Sequence, residues 1–291
     1  MPVLHPDLQK KLDELRAKKD FNCQEWLNNA ASKINAYFTK SGLSGAVIGC
    51  SGGVDSSLVV AVLDWTMKNT DSPLKKILPV ALPIHSTHHI QNRAAELCDK
   101  LGLELVSIDQ TDLFDSLESR VSSALSIKSS QFASGQLRSY MRTPVLYFCA
   151  QLLSVEGHRA VVVSTGNRDE DFGIYYYCKA GDGVADVNFI HDLHKSEVFT
   201  MAKYLDLPEI IVTSPPSADL WADQTDEDEL GLTYSFVELY LTWIVNFSDE
   251  ERAQFEASLS PEGLEQLKSW TQSIERIRRN NEHKLHVPLF L

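Results

Sequence analysis

Apolar positions along the chain follow two alternating patterns, which predict helices and strands in turn. Leu8, Leu12 and Leu15 recur at helical spacing and predict a short amphipathic helix over residues 7–19. Short apolar runs without a helical period are typical of buried strands. The predicted strands begin near Ala46 and otherwise lie at 77–83, 104–108 and 160–164, and further helices are expected at 23–39, 88–101 and 135–156.

This alternation predicts an α/β fold with a doubly wound parallel sheet flanked by helices. The run Ala160-Val161-Val162-Val163 is continuously apolar, as in a parallel strand that is covered on both faces. We expect a single domain over residues 1–291, with N-terminal helices in 1–40, the α/β core in 41–210 and a mainly helical region in 211–291. Ligands of such sheets bind beyond the carboxyl ends of the strands.

A glycine loop follows the first predicted strand and precedes an apolar helix. Its sequence is Ser51-Gly52-Gly53-Val54-Asp55-Ser56. Glycines let the backbone approach a ligand closely, and hydroxyls and free N–H groups at a helix start suit a phosphate. The Lys of the common phosphate loop is absent and Asp55 stands at the helix start, which requires a divalent cation beside the polyphosphate. The alternative is a plain glycine turn into a buried helix.

Composition excludes several classes of protein. The formal net charge of −13 disfavours a general nucleic-acid binder, which would carry a basic face. No apolar run is long enough for a membrane span, and the charged N-terminus is not a signal peptide. The cysteines form no C-x-x-C pair, so neither a zinc site nor a disulfide framework is predicted. These features favour a cytoplasmic protein; the cysteines are Cys23, Cys50, Cys98, Cys149 and Cys178.

Polar segments downstream of the loop carry further candidate chemistry. Thr165 and Glu170 follow the fourth predicted strand, where Glu170 is placed to share the cation with Asp55. The alternative is a polar loop before an acidic helix start. Residues 175–188 combine three tyrosines, Lys179 and a Gly-Asp-Gly turn, which suits a flat ring beside charged groups; the alternative is an aromatic hairpin around the Gly-Asp-Gly turn.

Three more segments complete the candidate set. Lys195 stands at a predicted helix start, where it is a candidate for stabilising phosphate charge, although an isolated Lys there is usually just solvated. Ser217 follows a double proline that sets an extended segment, and His283-Lys284 stands near the end of the chain. The acidic stretch 223–229 is interpreted mainly as a solvated loop.

The glycine loop resembles the PP-loop of the N-type ATP pyrophosphatases, which split ATP between its α and β phosphates to adenylate an acid or amide oxygen. The ordered later motifs resemble those of the NAD⁺ synthetase family of the ammonia-dependent type, over nearly all of residues 23–290. The resemblance implies an adenine nucleotide α-hydrolase-like fold. The positions that match the family pattern after the loop are Arg142, Thr165, Glu170, Lys179, Asp186, Lys195, Ser217, His283 and Lys284.

The resemblance implies that an acid, the nicotinate carboxylate of deamido-NAD⁺, is adenylated by ATP and then amidated by ammonia. It implies Mg²⁺ held by Asp55 and Glu170, and catalytic roles for Asp55, Lys195 and Asp182. The residues implied for deamido-NAD⁺ are Arg142, Lys179, Asp186, His283 and Lys284. Those implied for ATP are Gly49, Cys50, Ser51, Gly52, Gly53, Val54, Asp55, Ser56, Thr165, Lys195 and Ser217.

The resemblance also implies partners. The small molecules are ATP, deamido-NAD⁺ and ammonia, with neither nucleic acid nor membrane involved, and the chain is expected to form a homodimer. About 40 residues precede the first predicted strand, too few for a glutaminase domain. The expected nitrogen donor is therefore free ammonia, or ammonia delivered by a separate glutaminase subunit.

Three departures from the family pattern leave the acid substrate open. Tyr140 replaces an expected Arg, Val184 interrupts Gly-Asp-Gly-Gly, and residues 83–89 lack an acidic pair. The resemblance therefore does not fix the adenine contacts near residues 85–91 or part of the nicotinate pocket. The alternatives are another PP-loop synthetase, such as a GMP synthetase-like amidation or tRNA thiolation, and a catalytically silent nucleotide-binding module.

Overall fold

A computed structural model describes residues 2–86, 88–217 and 225–285, with the backbone alone for 88–91. Its strands form one five-stranded sheet in which every neighbouring pair is parallel. The strands are β1 Gly45–Gly49, β2 Lys76–Ala81, β3 Val106–Ser107, β4 Ala160–Ser164 and β5 Val187–Asn188. Their order is β3-β2-β1-β4-β5, so the chain winds outward from β1 in both directions and the predicted doubly wound fold is confirmed.

Helices surround the sheet and make up the two ends of the described chain. They are α1 Pro6–Lys19, α2 Cys23–Ser41, α3 Val54–Asn69, α4 His88–Leu101, α5 Thr111–Leu125, α6 Gln131–Val155, α7 Lys195–Tyr204, α8 Glu209–Val212, α9 Asp226–Leu230, α10 Tyr234–Leu239, α11 Asp249–Ala257 and α12 Pro261–Asn281. Two π-helical turns, Arg168–Ile174 and Tyr240–Ile244, and a 3₁₀ turn, Glu282–Leu285, complete the set. No helix within the described residues is long and apolar enough to cross a membrane.

Helix α5 and strand β5 are among the elements that the sequence prediction lacked. Helix α5 lies in a stretch to which no element was assigned, and α6 begins four residues before the predicted start at 135 because Ser130 caps it by accepting from the Ala133 N–H. Strand β5 lies in the segment for which a hairpin was left open. It pairs in parallel with β4 instead, since Val187 is in register with Val163.

The sheet is covered on both faces, and the side chains of its strands alternate between two cores. Ala46 and Ile48 of β1 pack on one face with residues of α2, α3 and α7. Val47, between them, packs on the other face with Cys149 and Ala150 of α6. This period of two is the geometry of a strand buried on both sides, and it explains why residues 46–48 of β1 and 160–163 of β4 are apolar at every position.

A separate apolar core joins the two ends of the chain. Leu8 and Leu12 of α1 are fully buried with Phe236 of α10 and Ile274 of α12. Helix α2 packs on the sheet instead, so the two N-terminal helices belong to different cores. All five cysteines are free thiols.

Truncating Leu12 tests the packing of α1 on the C-terminal helices. We expect Leu12→Ala to lower the free energy of unfolding by about 2–5 kcal/mol, because a fully buried side chain leaves a cavity in a core shared by distant segments. Val3→Ala is the control, since Val3 is 77% exposed and precedes the same helix. Urea denaturation measures both. An equally small change in the two variants would mean that α1 is only loosely attached.

Candidate functional site

The site lies where the strand order changes direction. Strands β1 and β4 are neighbours, yet β1 continues through α3 to β2, and β4 continues to β5 on the other side. Loops that leave such neighbouring strands diverge and open a crevice at the carboxyl edge of the sheet. The glycine loop follows β1 and Thr165 follows β4, so the two segments face the same crevice, as the sequence predicts.

The glycine loop has the geometry of a phosphate site. Gly52 has φ +82°, a conformation that favours glycine. Gly53 precedes α3 without a side-chain cap, so the first N–H groups of a 16-residue helix face the crevice. Ser51 Oγ lies 3.1 Å from Ser56 Oγ and accepts from the Gly53 N–H. Hydroxyls and N–H donors therefore surround one small space at the helix start.

Three predicted side chains meet beside this loop. Lys195 Nζ lies 2.7 Å from Asp55 Oδ2 and 2.7 Å from Glu170 Oε1. The Lys195 side chain is only 5% exposed. Asn167 orients both carboxylate segments, because its Nδ2 donates to Asp55 Oδ1 at 2.8 Å and its Oδ1 accepts from the Glu170 N–H. The fold thus joins the segments after β1 and β4 with the start of α7.

Burial and the neighbouring opposite charge act in opposite directions on the pKa values of Asp55, Glu170 and Lys195. Burial raises the pKa of Asp55, and the Lys195 ammonium offsets only part of this effect. Burial also acts to raise the pKa of Glu170, but the Lys195 ammonium and the hydrogen bonds from Lys195, Tyr234 and Asn167 together lower it. For Lys195, burial acts to lower the pKa, while Asp55 and Glu170 raise it above the ordinary value. Lys195 is therefore charged and holds two carboxylates together.

Two neighbours of this cluster were missed by sequence reasoning. The Tyr234 hydroxyl lies 2.6 Å from Glu170 Oε1 and 2.9 Å from Asp226 Oδ2, and Lys195 Nζ lies 4.9 Å from its ring centroid. Burial, with the charge of Glu170, raises the pKa of Asp226 to about 6. Asp226 belongs to the acidic stretch interpreted as a solvated loop, but it is buried. Only the fold reveals this, because five of seven residues in that stretch are acidic and the pattern does not single one out.

A second group of predicted residues joins the end of α12 to residues 175–188, the tyrosine segment. Lys179 Nζ donates to the His283 carbonyl at 2.6 Å. Lys284 Nζ donates to the carbonyls of Tyr175 and Tyr177 at 3.0 and 2.5 Å. Residues more than 100 positions apart in the chain thus form one wall, as their joint assignment to a substrate site requires.

Asp182 and Asp171 lie between the two groups. Asp182 Oδ1 accepts from the Ser139 hydroxyl and the Cys178 N–H, and burial raises its pKa. Burial raises the pKa of Asp171 strongly, and Asp182 and Glu170 add to the effect. Asp171 packs over Gly166, where a Cβ would lie 1.7 Å from Oδ2. A side chain at position 166 would therefore displace the Asp171 carboxylate from its place over the backbone after β4.

The remaining assignments are more dispersed. Asp186 accepts from the Val162 N–H at 2.8 Å and from the Tyr147 hydroxyl at 3.3 Å, so its carboxylate is bonded to the backbone of β4. Arg142 Nε lies 3.4 Å from the Leu82 carbonyl. Thr165 is half-buried after β4, and Ser217 is exposed. The rest of the Ser217 motif, 218–224, lies outside the described residues, as do the side chains of 87–91.

Two of the three departures from the family pattern, Tyr140 and Val184, lie near Asp182. Tyr140 is 38% exposed, its hydroxyl donates to Gln136, and its pKa is raised by burial and then by Cys178 and Asp182. Val184 is also 38% exposed and follows the Gly-Asp-Gly turn.

A cavity of about 350 Å³ opens between α2 and β5, with aromatic walls from Trp26, Tyr37 and Phe189. Space for a flat ring therefore exists at this edge of the sheet.

Comparison with known proteins identifies the family of this chain. Residues 26–288 match the family described as NAD synthase. An NH(3)-dependent NAD(+) synthetase from Methanosarcina acetivorans is 34% identical over 251 residues, covering 86% of this chain and 90% of that protein.

Solved structures agree in fold. The structure of NMN synthetase from Francisella tularensis aligns with a TM-score of 0.74 and 27% identity, covering 93% of this chain and 99% of that one. An NH3-dependent NAD synthetase from Campylobacter jejuni aligns with a TM-score of 0.69 and 21% identity, covering 93% and 100%. Because the NAD synthase model matches residues 26–288 and the Methanosarcina acetivorans protein is 34% identical over 86% of this chain, the chain belongs to the NAD synthase family.

Proposed function

We propose that the protein uses ATP to amidate the nicotinate carboxylate of deamido-NAD⁺, with ammonia as the nitrogen donor. The observation that carries this proposal is the cluster of Lys195, Asp55 and Glu170 beside the glycine loop. A carboxylate resists attack because of its charge and resonance. Adenylation removes this obstacle: a carboxylate oxygen attacks the α-phosphate, and pyrophosphate leaves. Ammonia then attacks the carbonyl carbon, AMP leaves with the C–O electrons, and a proton is lost from nitrogen.

The residues present fit a magnesium ion. Asp55 and Glu170 already hold one cation in common, the Lys195 ammonium, at 2.7 Å each. Within residues 2–86, 88–217 and 225–285, no cluster of three or more His, Cys, Asp or Glu side chains could hold a metal. Two carboxylates with the other positions left to water and phosphate oxygens suit Mg²⁺. The ion would supply neutralisation of phosphate charge.

The protein's own groups supply positioning and charge. The N–H groups at the start of α3 and the hydroxyls of Ser51 and Ser56 suit the pyrophosphate, and Lys195 stabilises its developing charge. The wall of Lys179, His283 and Lys284 suits the acid substrate, beside Asp182. Asp182 is assigned to ammonia, because an acidic group near the carbonyl attracts ammonium and accepts its proton.

Nicotinate mononucleotide is a second candidate acid. The supporting observation is the likeness to the NMN synthetase of Francisella tularensis, whose 27% identity exceeds the 21% of the Campylobacter NAD synthetase. The departures at Tyr140 and Val184 lie near the residues assigned to the substrate. Both acids carry the same reacting carboxylate, so the adenylation chemistry is shared and only the length of the bound nucleotide differs.

The homodimer is also proposed. Leu113, Leu117, Val121 and Leu125 are exposed by 40–64% and recur every four residues along one face of α5. Helix α6, which packs against α5, exposes further large apolar side chains. An apolar surface of this extent marks an interaction site, and a second copy of the chain presents the matching surface. The five free thiols fit a reducing cytoplasm.

A product assay tests the proposed function. The protein is incubated with ATP, Mg²⁺, ammonium and either deamido-NAD⁺ or nicotinate mononucleotide, and amide, AMP and pyrophosphate are measured by chromatography. We expect equal amounts of all three products. A higher kcat/KM for the mononucleotide would select the second candidate acid, and pyrophosphate without amide from either acid would overturn both. Replacing ammonium by glutamine, with and without a glutaminase, identifies the nitrogen source.

Asp55→Asn tests the metal assignment in the same assay. We expect pyrophosphate release to fall by at least ~100-fold, because the amide carries no charge for the cation. Asp64→Asn is the control, since Asp64 is a buried carboxylate further along α3 that pairs with Lys68. Near-normal pyrophosphate release by the Asp55 variant would show that the cation is held elsewhere.

Tyr234→Phe tests whether the Tyr234 hydroxyl, which bonds to Glu170, supports the metal site. Loss of a group that orients a metal ligand commonly weakens binding by about 10–100-fold, and we expect the Mg²⁺ concentration for half-maximal pyrophosphate release to rise by that factor. Tyr240→Phe is the matched control, because Tyr240 is equally buried in the next turn. An unchanged Mg²⁺ requirement in Tyr234→Phe would remove Tyr234 from the site.

The double variant Leu117→Glu/Val121→Glu tests the dimer. We expect light scattering to give twice the chain mass for the wild type and the chain mass for the variant, since buried unpaired carboxylates oppose association. Ser119→Glu adds charge to α5 on the opposite side and leaves the dimer intact. A monomeric wild type, or a dimeric double variant, contradicts the assignment of this face.

A further inference from the structure

A buried carboxylate beside Glu170 has no role in the chemistry described so far. Asp169 is fully buried. Its Oδ2 accepts from the backbone N–H of Lys195 at 2.7 Å. Its Oδ1 lies 2.7 Å from Nδ1 of His194, a side chain that is 3% exposed. One carboxylate therefore bonds to two consecutive residues, and the second of them is the lysine of the site.

These bonds lie at the start of α7. Lys195 is the first residue of this helix, and the first N–H groups of a helix lack partners within it. Asp169 supplies the acceptor for one of these N–H groups from a distant segment of the chain. The carboxylate thus sets the place at which α7 begins and the direction in which its first side chain leaves the backbone.

Consecutive residues hold the two ends of Lys195. Asp169 bonds to the backbone nitrogen, and Glu170 bonds to Nζ. The side chain between these atoms has four rotatable carbon bonds, so the position of Nζ depends on a fixed backbone at its base. Both carboxylates belong to the same π-helical turn after β4, which ties the reach of Lys195 to that turn.

Other contacts hold the start of α7 independently. Ser196 donates to Glu238 Oε2 at 2.8 Å, and Arg16 of α1 bonds to both oxygens of Glu238 at 3.0 and 2.6 Å. Glu197 pairs with Lys19. Removal of Asp169 therefore leaves the helix docked, and the consequence is confined to the exact placement of its first residue.

We propose that Asp169 is a positioning residue that aligns Lys195 with Asp55 and Glu170 for the adenylation step. This inference rests on the proposed function. Asp169 acts through the backbone of Lys195 and through His194, and it does not touch substrate. Its hydrogen bonds, not its charge, perform this role.

Two substitutions at Asp169 separate hydrogen bonding from charge. Asp169→Ala removes both acceptors, and we expect kcat for pyrophosphate release to fall by about 10–100-fold, as small misplacements of reacting groups do, with KM values nearly unchanged. Asp169→Asn keeps one acceptor for the Lys195 N–H and offers an N–H to the other tautomer of His194, so we expect kcat within about threefold of wild type. His194 Nε2 then faces the Thr242 hydroxyl, which lies 3.4 Å away and can accept.

Asp64→Ala is the matched control, because it removes another buried carboxylate, 4% exposed, distant from the loop along α3. All variants are compared per folded molecule, with thermal unfolding recorded beside kcat. Unchanged kcat in Asp169→Ala, or an Asp169→Asn variant as impaired as Asp169→Ala, overturns the proposal. The first outcome would leave Asp169 a purely structural residue, and the second would make its charge decisive.

A measurement without turnover separates this proposal from the function itself. Lys195 is 5% exposed, so acetic anhydride should acetylate it slowly in the wild type and in Asp64→Ala, but faster in Asp169→Ala, as quantified by mass spectrometry. Equal acetylation rates in Asp169→Ala and wild type contradict the positioning role, even if the protein amidates neither acid. If the wild type makes no amide but Lys195 is acetylated faster in Asp169→Ala than in the wild type, the proposed function alone is overturned.

Discussion

The site depends on one lysine ammonium that neutralises two carboxylates in a poorly solvated crevice. Asp55 and Glu170 approach the same atom, Lys195 Nζ, at 2.7 Å. Without a cation between them, like charges at this separation would repel and each would bear its full desolvation cost. The arrangement is therefore built to hold positive charge. This property suits the proposed transfer of an adenylyl group, in which negative charge accumulates on leaving pyrophosphate.

Sheet topology creates this crevice, and small local features fit it to a nucleotide. The change of direction between β1 and β4 separates their two following loops. Gly52 adopts a positive φ on one side, and Gly166 lies under the Asp171 carboxylate on the other. A side chain at Gly52 would strain the backbone that presents the N–H groups, and one at Gly166 would displace the Asp171 carboxylate. The chemistry thus rests on backbone geometry as much as on charged side chains.

Segments outside the sheet complete the site from two directions. Tyr234, at the start of α10, bonds to Glu170, while Glu238 of the same helix links the start of α7 to Arg16 of α1. Lys284, beyond α12, bonds to the backbone of the tyrosine segment. The shared core of α1, α10 and α12 therefore supports Lys195 and the proposed substrate wall together, which links the stability of the helical layer to the proposed function.

The sequence by itself determined the parallel α/β class, the glycine loop and the candidates Asp55, Glu170 and Lys195, because strand periodicity and short motifs are local signals. It missed α5, whose apolar stripe lies on an exposed face, and β5, whose two residues form a strand only by pairing with β4. It also missed Asp169, Asp226 and Tyr234. Only the tertiary structure decided that these side chains are buried against Glu170 and Lys195, since burial and pairing arise from segments that the chain brings together from far apart.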